Sequence, residues 1–176
     1  GGWRADCTDV DGVTGALTGG GVGDLTGASA VVVGAGGTAR PALVALADLG
    51  VRAVTLVARS RERAEGALRC GEAAGLDMQF ATFDGPGLDE VAGNSGALVS
   101  TVPATGAQPY AAVLGHAPFV LDAIYDPWPT PLAEAVRAAD GTVVSGLEML
   151  LNQAFGQVEQ FTGLSAPREA MRAALA

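Results

Sequence analysis

Gly34, Gly36 and Ala39 stand at the spacing G-x-G-x-x-A, directly after the β-branched run Val31-Val32-Val33 and just before an alanine- and leucine-rich stretch over 42–49. That order reads as strand, tight turn, helix, and the residue types suit a loop that cradles a pyrophosphate. Gly34 lets the chain turn sharply off the strand, and Gly36 lets backbone come close to the phosphates. A small residue at 39 lets the helix pack closely on the strand. Backbone N–H groups from Ala35 through Gly37 and Thr38 then face the anion at the positive end of the helix dipole. The spacing alone also fits a glycine turn in any α/β protein. The strand before it and the helix after it favour a dinucleotide site.

A second constellation follows the next apolar strand. Ala58-Arg59-Ser60-Arg61-Glu62-Arg63 carries no acid at the strand tip, where NAD-preferring folds hold a ribose 2′-hydroxyl. Arg59 offers a planar fork to a phosphate, and Ser60 can cap the following helix and donate to the same group. Arg63, one turn further on, comes round to the same end. Basic residues at a helix start oppose its dipole, so a bound anion explains them better than a solvated turn. The expected cofactor is NADP rather than NAD. Ser100 and Thr101, at the tip of a later strand, are candidate contacts on the same edge, though plain strand termination reads equally well. Thr8 and Asp9 precede a weak helical pattern (Val13, Leu17), for which N-capping is the simplest reading. His116 falls in a loop and is given no role.

These residues need a scaffold that brings strand tips together. The pattern predicts strands over 29–34, 53–57, 78–82, 97–103, 119–125 and 142–144. Helices are expected over 37–49 with Gly50 as its cap, from about 60 to 74, and over 132–139, 147–161 and 167–175. A short helix or turn is expected over 86–93. Residues 18–28 are a glycine-rich loop, and the proline-rich 126–131 is a shaped, irregular one. On the predicted helix over 147–161, Leu147, Leu150, Leu151, Ala154, Phe155 and Val158 share one face, an apolar seam for a covering partner. Alternation of strands and helices gives an α/β fold with a doubly wound parallel sheet, Rossmann-like in its cofactor site.

The 176 residues suffice for one domain, and an apolar share of 49% is ample for its core. No run approaches the roughly 18 uncharged apolar residues of a membrane span, and the start lacks a secretory pattern. A net charge of −9 without a basic tract argues against nucleic acid as a partner. Cys7 and Cys70 are isolated, with neither metal spacing nor a disulfide framework, which fits a reducing cytosol and no metal site. All ten basic residues are arginine, so chemistry that needs a lysine is expected from outside this chain. Lacking an initial Met, the chain is expected to be a piece of a longer protein.

With these motifs in order, the chain resembles the C-terminal, NADP-binding half of the shikimate dehydrogenases over nearly its whole length. Cys7-Thr8-Asp9-Val10-Asp11-Gly12 is similar to the family's Asn-Thr-Asp-x-x-Gly, with Cys7 in place of the asparagine. Gly34 to Arg40 matches the glycine loop, and Ala58 to Arg63 resembles Asn-Arg-Thr-x-x-Arg, with alanine for its asparagine. Ser100-Thr101-Val102 stands where the family has Asn-Ala-Thr. Asp122-Ala123-Ile124-Tyr125, then Thr130-Pro131-Leu132, follows Asp-x-x-Tyr…Thr-Pro-Leu. Gly146 to Ala154 resembles Gly-x-x-Met-Leu-x-x-Gln-Ala.

The resemblance implies reversible reduction of 3-dehydroshikimate to shikimate with NADPH, in aromatic amino-acid synthesis. It places Asp9 in a catalytic Lys/Asp pair and makes Asp9, Tyr125 and Gln153 substrate contacts. Ala123, Gly146 and Met149 would line the nicotinamide, and Ser100, Thr101 and Val102 would touch the cofactor. Residues 1–28 would be a linker and helix from the hinge, 29–145 the cofactor core, and 146–176 helices returning toward an N-terminal substrate domain that supplies the lysine. On that reading the chain binds NADP but does not turn over alone. A quinate/shikimate enzyme using NAD would want an acid where Ala58 and Arg59 stand. Glutamyl-tRNA reductase shares the glycine loop but is not expected to carry the Thr8-Asp9 and Gln153 segments together. A non-catalytic NADP-binding module remains the reading from a different class.

Overall fold

Valine and leucine runs of four or five residues, apolar on both sides, make strands that must be covered on both faces. The computed structural model describes Gly2 and residues 5–175; Gly1, Trp3, Arg4 and Ala176 lie outside it. The strands are β1 (Ser29–Val33), β2 (Ala53–Val57), β3 (Asp77–Ala81), β4 (Ala97–Ser100), β5 (Phe119–Asp122) and β6 (Thr142–Ser145). They form one parallel sheet in the order β3-β2-β1-β4-β5-β6. The strand order reverses between β1 and β4, which opens a crevice at their carboxyl ends.

Side chains alternate between the two faces. Val31, Val33, Val57, Leu98 and Val120 pack beneath α4 (Leu88–Gly93), α6 (Ala111–Leu114) and α7 (Pro131–Ala138). Val32, Val54, Leu56, Val99 and Leu121 face α1 (Thr8–Gly19), α2 (Ala39–Asp48) and α3 (Arg61–Ala73), with Met149 of α8 (Gly146–Thr162) joining them. Both faces of the sheet are thus covered by helices. Among the described residues no helix is long and apolar enough to cross a membrane.

Helix ends follow the side chains at them. The hydroxyl of Ser60 accepts the Arg63 N–H (3.3 Å), that of Thr130 the Ala133 N–H (3.0 Å), and that of Ser145 the Leu147 N–H (3.2 Å). These caps start α3, α7 and α8 at the carboxyl edge of the sheet. Gly50, at φ +85°, closes α2 with its N–H on the Ala47 carbonyl and the Val51 N–H on that of Leu46, a Schellman arrangement.

Several expectations are corrected. Neither Thr8 nor Asp9 caps α1: Cys7 holds that position without a side-chain bond, and the Thr8 hydroxyl accepts from Gln157 Nε2 at 3.0 Å. The strands expected over 97–103 and 119–125 stop at Ser100 and Asp122. Pro103 has no N–H for a ladder, and the Asp122 carboxylate draws the Ile124 N–H (3.3 Å) out of one. The stretch 104–114, where no element was expected, forms α5 (Ala104–Ala107), a 3-10 turn (Gln108–Tyr110) and α6. Each is a single turn, too short to show a period.

α1 lies against α8 through glycines. A Cβ on Gly12 would stand 2.8 Å from the Met149 carbonyl oxygen and 3.1 Å from Gln153 Cβ. Gly12→Ala is therefore expected to destabilise the protein by about 1–3 kcal/mol, read by thermal unfolding; an unchanged midpoint would contradict this packing. On the other side of α8, α9 (Arg168–Ala173) is tied down by Arg172 on Glu148 (2.8 Å). Between them Leu147, Leu150, Ala154, Met171 and Leu175 line an apolar groove. Leu147, Leu150, Leu151 and Ala154, expected on one apolar face of α8, line this groove together, with Leu150 36% exposed and Phe155 buried under Arg168 of α9.

Candidate cofactor and substrate site

The glycine loop leaves β1 through Gly34 at φ +101°, a conformation that favours glycine. Its N–H is held by the Val57 carbonyl (2.8 Å). A Cβ here would collide with Thr101 Oγ1 and stand 2.9 Å from Val102 Cγ1. Thr101 braces the turn from the β4 side, its hydroxyl and its N–H both donating to the Val33 carbonyl at 2.8 Å. Beyond the turn the loop opens. A Cβ at Gly36 or Gly37 would meet nothing within 4 Å. Their N–H groups have no acceptor among the described residues. Free donors on a bare backbone, just before the first turn of α2, form a cradle for an anion.

Gly34, Ala35 and Gly36 of this loop line a cleft of about 320 Å³. Arg59, Ser60 and Arg63 form one wall, Thr101, Val102 and Pro103 the other. Arg59 and Arg63 are exposed and make no ion pair among the described residues, whereas Arg61 turns away, 5.7 Å over the Phe80 ring. Two uncompensated guanidinium groups beside a capped helix start suit a phosphate monoester. Phe83 and Pro103 also line the cleft, although sequence reasoning did not single them out. Phe83 lies just past the tip of β3, next to β2, and stacks on Tyr110 with ring centres 4.6 Å apart.

Two of the expected cofactor contacts sit elsewhere. Ser100 is fully buried, facing Asp122 across the β4–β5 register, so its side chain does not reach the cleft. Ala39 is also fully buried, its methyl packing the helix on the strand as its place in the motif requires. Thr38 falls on the far side of the loop, in a second depression of about 240 Å³. There the structure brings together Asp9 from the first turn of α1, Ala123 and Tyr125 from the loop after β5, and Gly146, Met149 and Gln153 from α8. Any side chain at Gly146 would run into the Ala123 carbonyl, which keeps this corner tight. The glycine loop contributes to both depressions, so one extended ligand with a phosphate bridge in its middle fits the arrangement.

Asp122, the residue before Ala123, is 1% exposed. Burial raises its carboxyl above the usual 3.8, more than the hydrogen bonds from Thr130 and Ile124 lower it. The folded state therefore holds this proton more tightly than the unfolded chain, and the associated stability is lost as pH rises from about 3.8 through the folded-state value. Wild type should lose stability relative to Asp122→Asn over that window, measured by urea unfolding at a series of pH values. A relative gain with rising pH would contradict the raised value.

Comparison with known proteins gives the following. A family profile for the shikimate 5′-dehydrogenase C-terminal domain matches residues 146–176. The chain is 40% identical over 171 residues to the NADP(+) shikimate dehydrogenase of Halobacterium salinarum, covering 96% of this chain and 62% of that protein. It superposes on the crystal structure of Mycobacterium tuberculosis shikimate dehydrogenase with a TM-score of 0.90 at 54% identity, covering 99% of this chain and 64% of the other. The Mycobacterium fortuitum shikimate 5-dehydrogenase gives 0.91 at 55% identity, with 100% and 63% covered. The chain thus spans less than two thirds of the length of these relatives.

Proposed function

Because the chain belongs to the shikimate dehydrogenase family and aligns with less than two thirds of its members' length, we propose that it forms the cofactor-binding part of an NADP-dependent enzyme interconverting 3-dehydroshikimate and shikimate in the cytosol. What supports this reading most is the shared glycine loop: Gly34 and Gly36 lie in a cleft with two arginines that have no ion pair among the described residues, Thr38 in a depression with Asp9, Tyr125 and Gln153.

The N–H groups of Gly36 and Gly37 receive the pyrophosphate, and Arg59, Ser60 and Arg63 hold the 2′-phosphate. Thr101 and Val102 form the facing wall. Ala123, Gly146 and Met149 border the nicotinamide, which when bound supplies or accepts the hydride. Asp9 accepts hydrogen bonds from substrate hydroxyls, with Tyr125 and Gln153 completing the polar rim. Reducing a ketone also needs a proton at the developing alkoxide. The chain has no lysine, so an ammonium held in place by Asp9 comes from the additional third that its relatives possess. The segment before the core over 29–145 then leads in from the hinge, and the helices over 146–175 return toward that substrate domain.

The test is shikimate-dependent reduction of NADP+, assayed on this chain alone and on the chain joined to such a domain. Binding without turnover is expected from the first and turnover from the second. Turnover by the chain alone, or none by the joined protein, would contradict the assignment.

A further inference from the structure

The loop over 123–130 is fastened at both ends to one carboxylate. Ile124 donates its N–H to Asp122 Oδ1 at 3.3 Å, and Thr130 donates its hydroxyl to Asp122 Oδ2 at 2.6 Å. The same Thr130 oxygen accepts the Ala133 N–H at the start of α7 (3.0 Å). Asp122 and Thr130 are both 1% exposed. An apolar anchor would hold a loop without the cost of burying a carboxylate, so a connected polar network here fixes geometry rather than adding stability.

What it fixes is the second depression. The loop carries Ala123 and Tyr125 into it. The Ala123 N–H is held by the Ser100 carbonyl (2.9 Å), and the Ile124 carbonyl accepts the Gly146 N–H at the start of α8 (3.4 Å). A shift at Ile124 therefore moves Tyr125 directly and reaches Met149 and Gln153 through the first turn of α8. We propose that the buried Asp122–Thr130 pair is a positioning device for the reactive end of the site, holding the Ala123–Tyr125 turn against α8. The inference rests on the cofactor assignment above.

The experiment compares two ligands on this chain: NADPH, and adenosine 2′,5′-bisphosphate, which keeps the 2′-phosphate but lacks the nicotinamide. Thr130→Val is expected to weaken NADPH binding about tenfold, the scale of one lost hydrogen bond to a charged group. The bisphosphate should bind as before, and Thr130→Ser should restore NADPH affinity. Hydrogen exchange over 123–130 should quicken in the valine variant with no cofactor present. Asp122→Asn provides a second probe if the valine variant does not fold, and should show the same split between ligands. Equal losses on both ligands, no loss on either, or unchanged exchange in the loop would overturn the proposal. If the unaltered chain binds the bisphosphate but not NADPH, the positioning role falls. If it binds neither, the cofactor assignment falls first and the positioning role with it.

Discussion

Gly36→Val is expected to leave the fold intact and to abolish dinucleotide binding. The residue is exposed, a Cβ there meets nothing within 4 Å, and its backbone is outside the left-handed region. The unfolding free energy should change by no more than about 0.5 kcal/mol, as at most surface positions. The added side chain would instead fill the cradle and hold an anion away from the free N–H groups of Gly36 and Gly37. Losing two charge-assisted hydrogen bonds, at about 1.5–3 kcal/mol each, lowers affinity at least about 100-fold. Thermal unfolding and a calorimetric titration with NADPH read the two quantities separately. Wild-type affinity in the variant would mean that the phosphates do not lie over this loop. Gly34 makes the opposite case within the same motif: at φ +101° and pressed against Thr101 and Val102, it is required by the fold.

Arg59→Ala is expected to weaken NADPH binding by about 10- to 100-fold and to leave NADH binding within about twofold, the range of a bidentate charge-assisted contact. Arg59 borders the cleft with no carboxylate partner among the described residues, so its removal frees no buried charge and costs little stability. The Arg59 guanidinium is exposed, and the NADPH preference should therefore shrink as salt rises. Parallel titrations with the two nucleotides at low and high salt check it. Equal losses for both nucleotides would move Arg59 to a contact that they share.

Where local chemistry decides the structure, the sequence was explicit. Three valines, a glycine turn and an alanine-rich helix follow from residue type alone, and Ser60 caps α3 as its position suggested. That the sheet is parallel follows from alternation of strands and helical crossovers, but its strand order does not. Tertiary effects were not legible. Ser100 reads as a strand tip on the cofactor edge but is sealed by β5, because which strand tip faces the crevice depends on neighbours distant in sequence. Asp122 and Thr130 are eight residues apart, and nothing in their spacing announces that one carboxylate closes the loop between them. Phe83 enters the cleft because β3 lies beside β2, a pairing made in space. The pocket around Asp9 draws on four separate segments, and only the resemblance to a known family joined them beforehand.

The central claim is that this chain carries an NADP-selective dinucleotide site built on Gly34–Ala39 and Arg59–Arg63. Calorimetric titration of the unaltered chain with NADPH and, in parallel, NADH tests it most directly. One site per chain is expected, with NADPH affinity at least about tenfold above that of NADH, the contribution of one phosphate clamp. Equal affinities, a preference for NADH, or binding of neither nucleotide would contradict it.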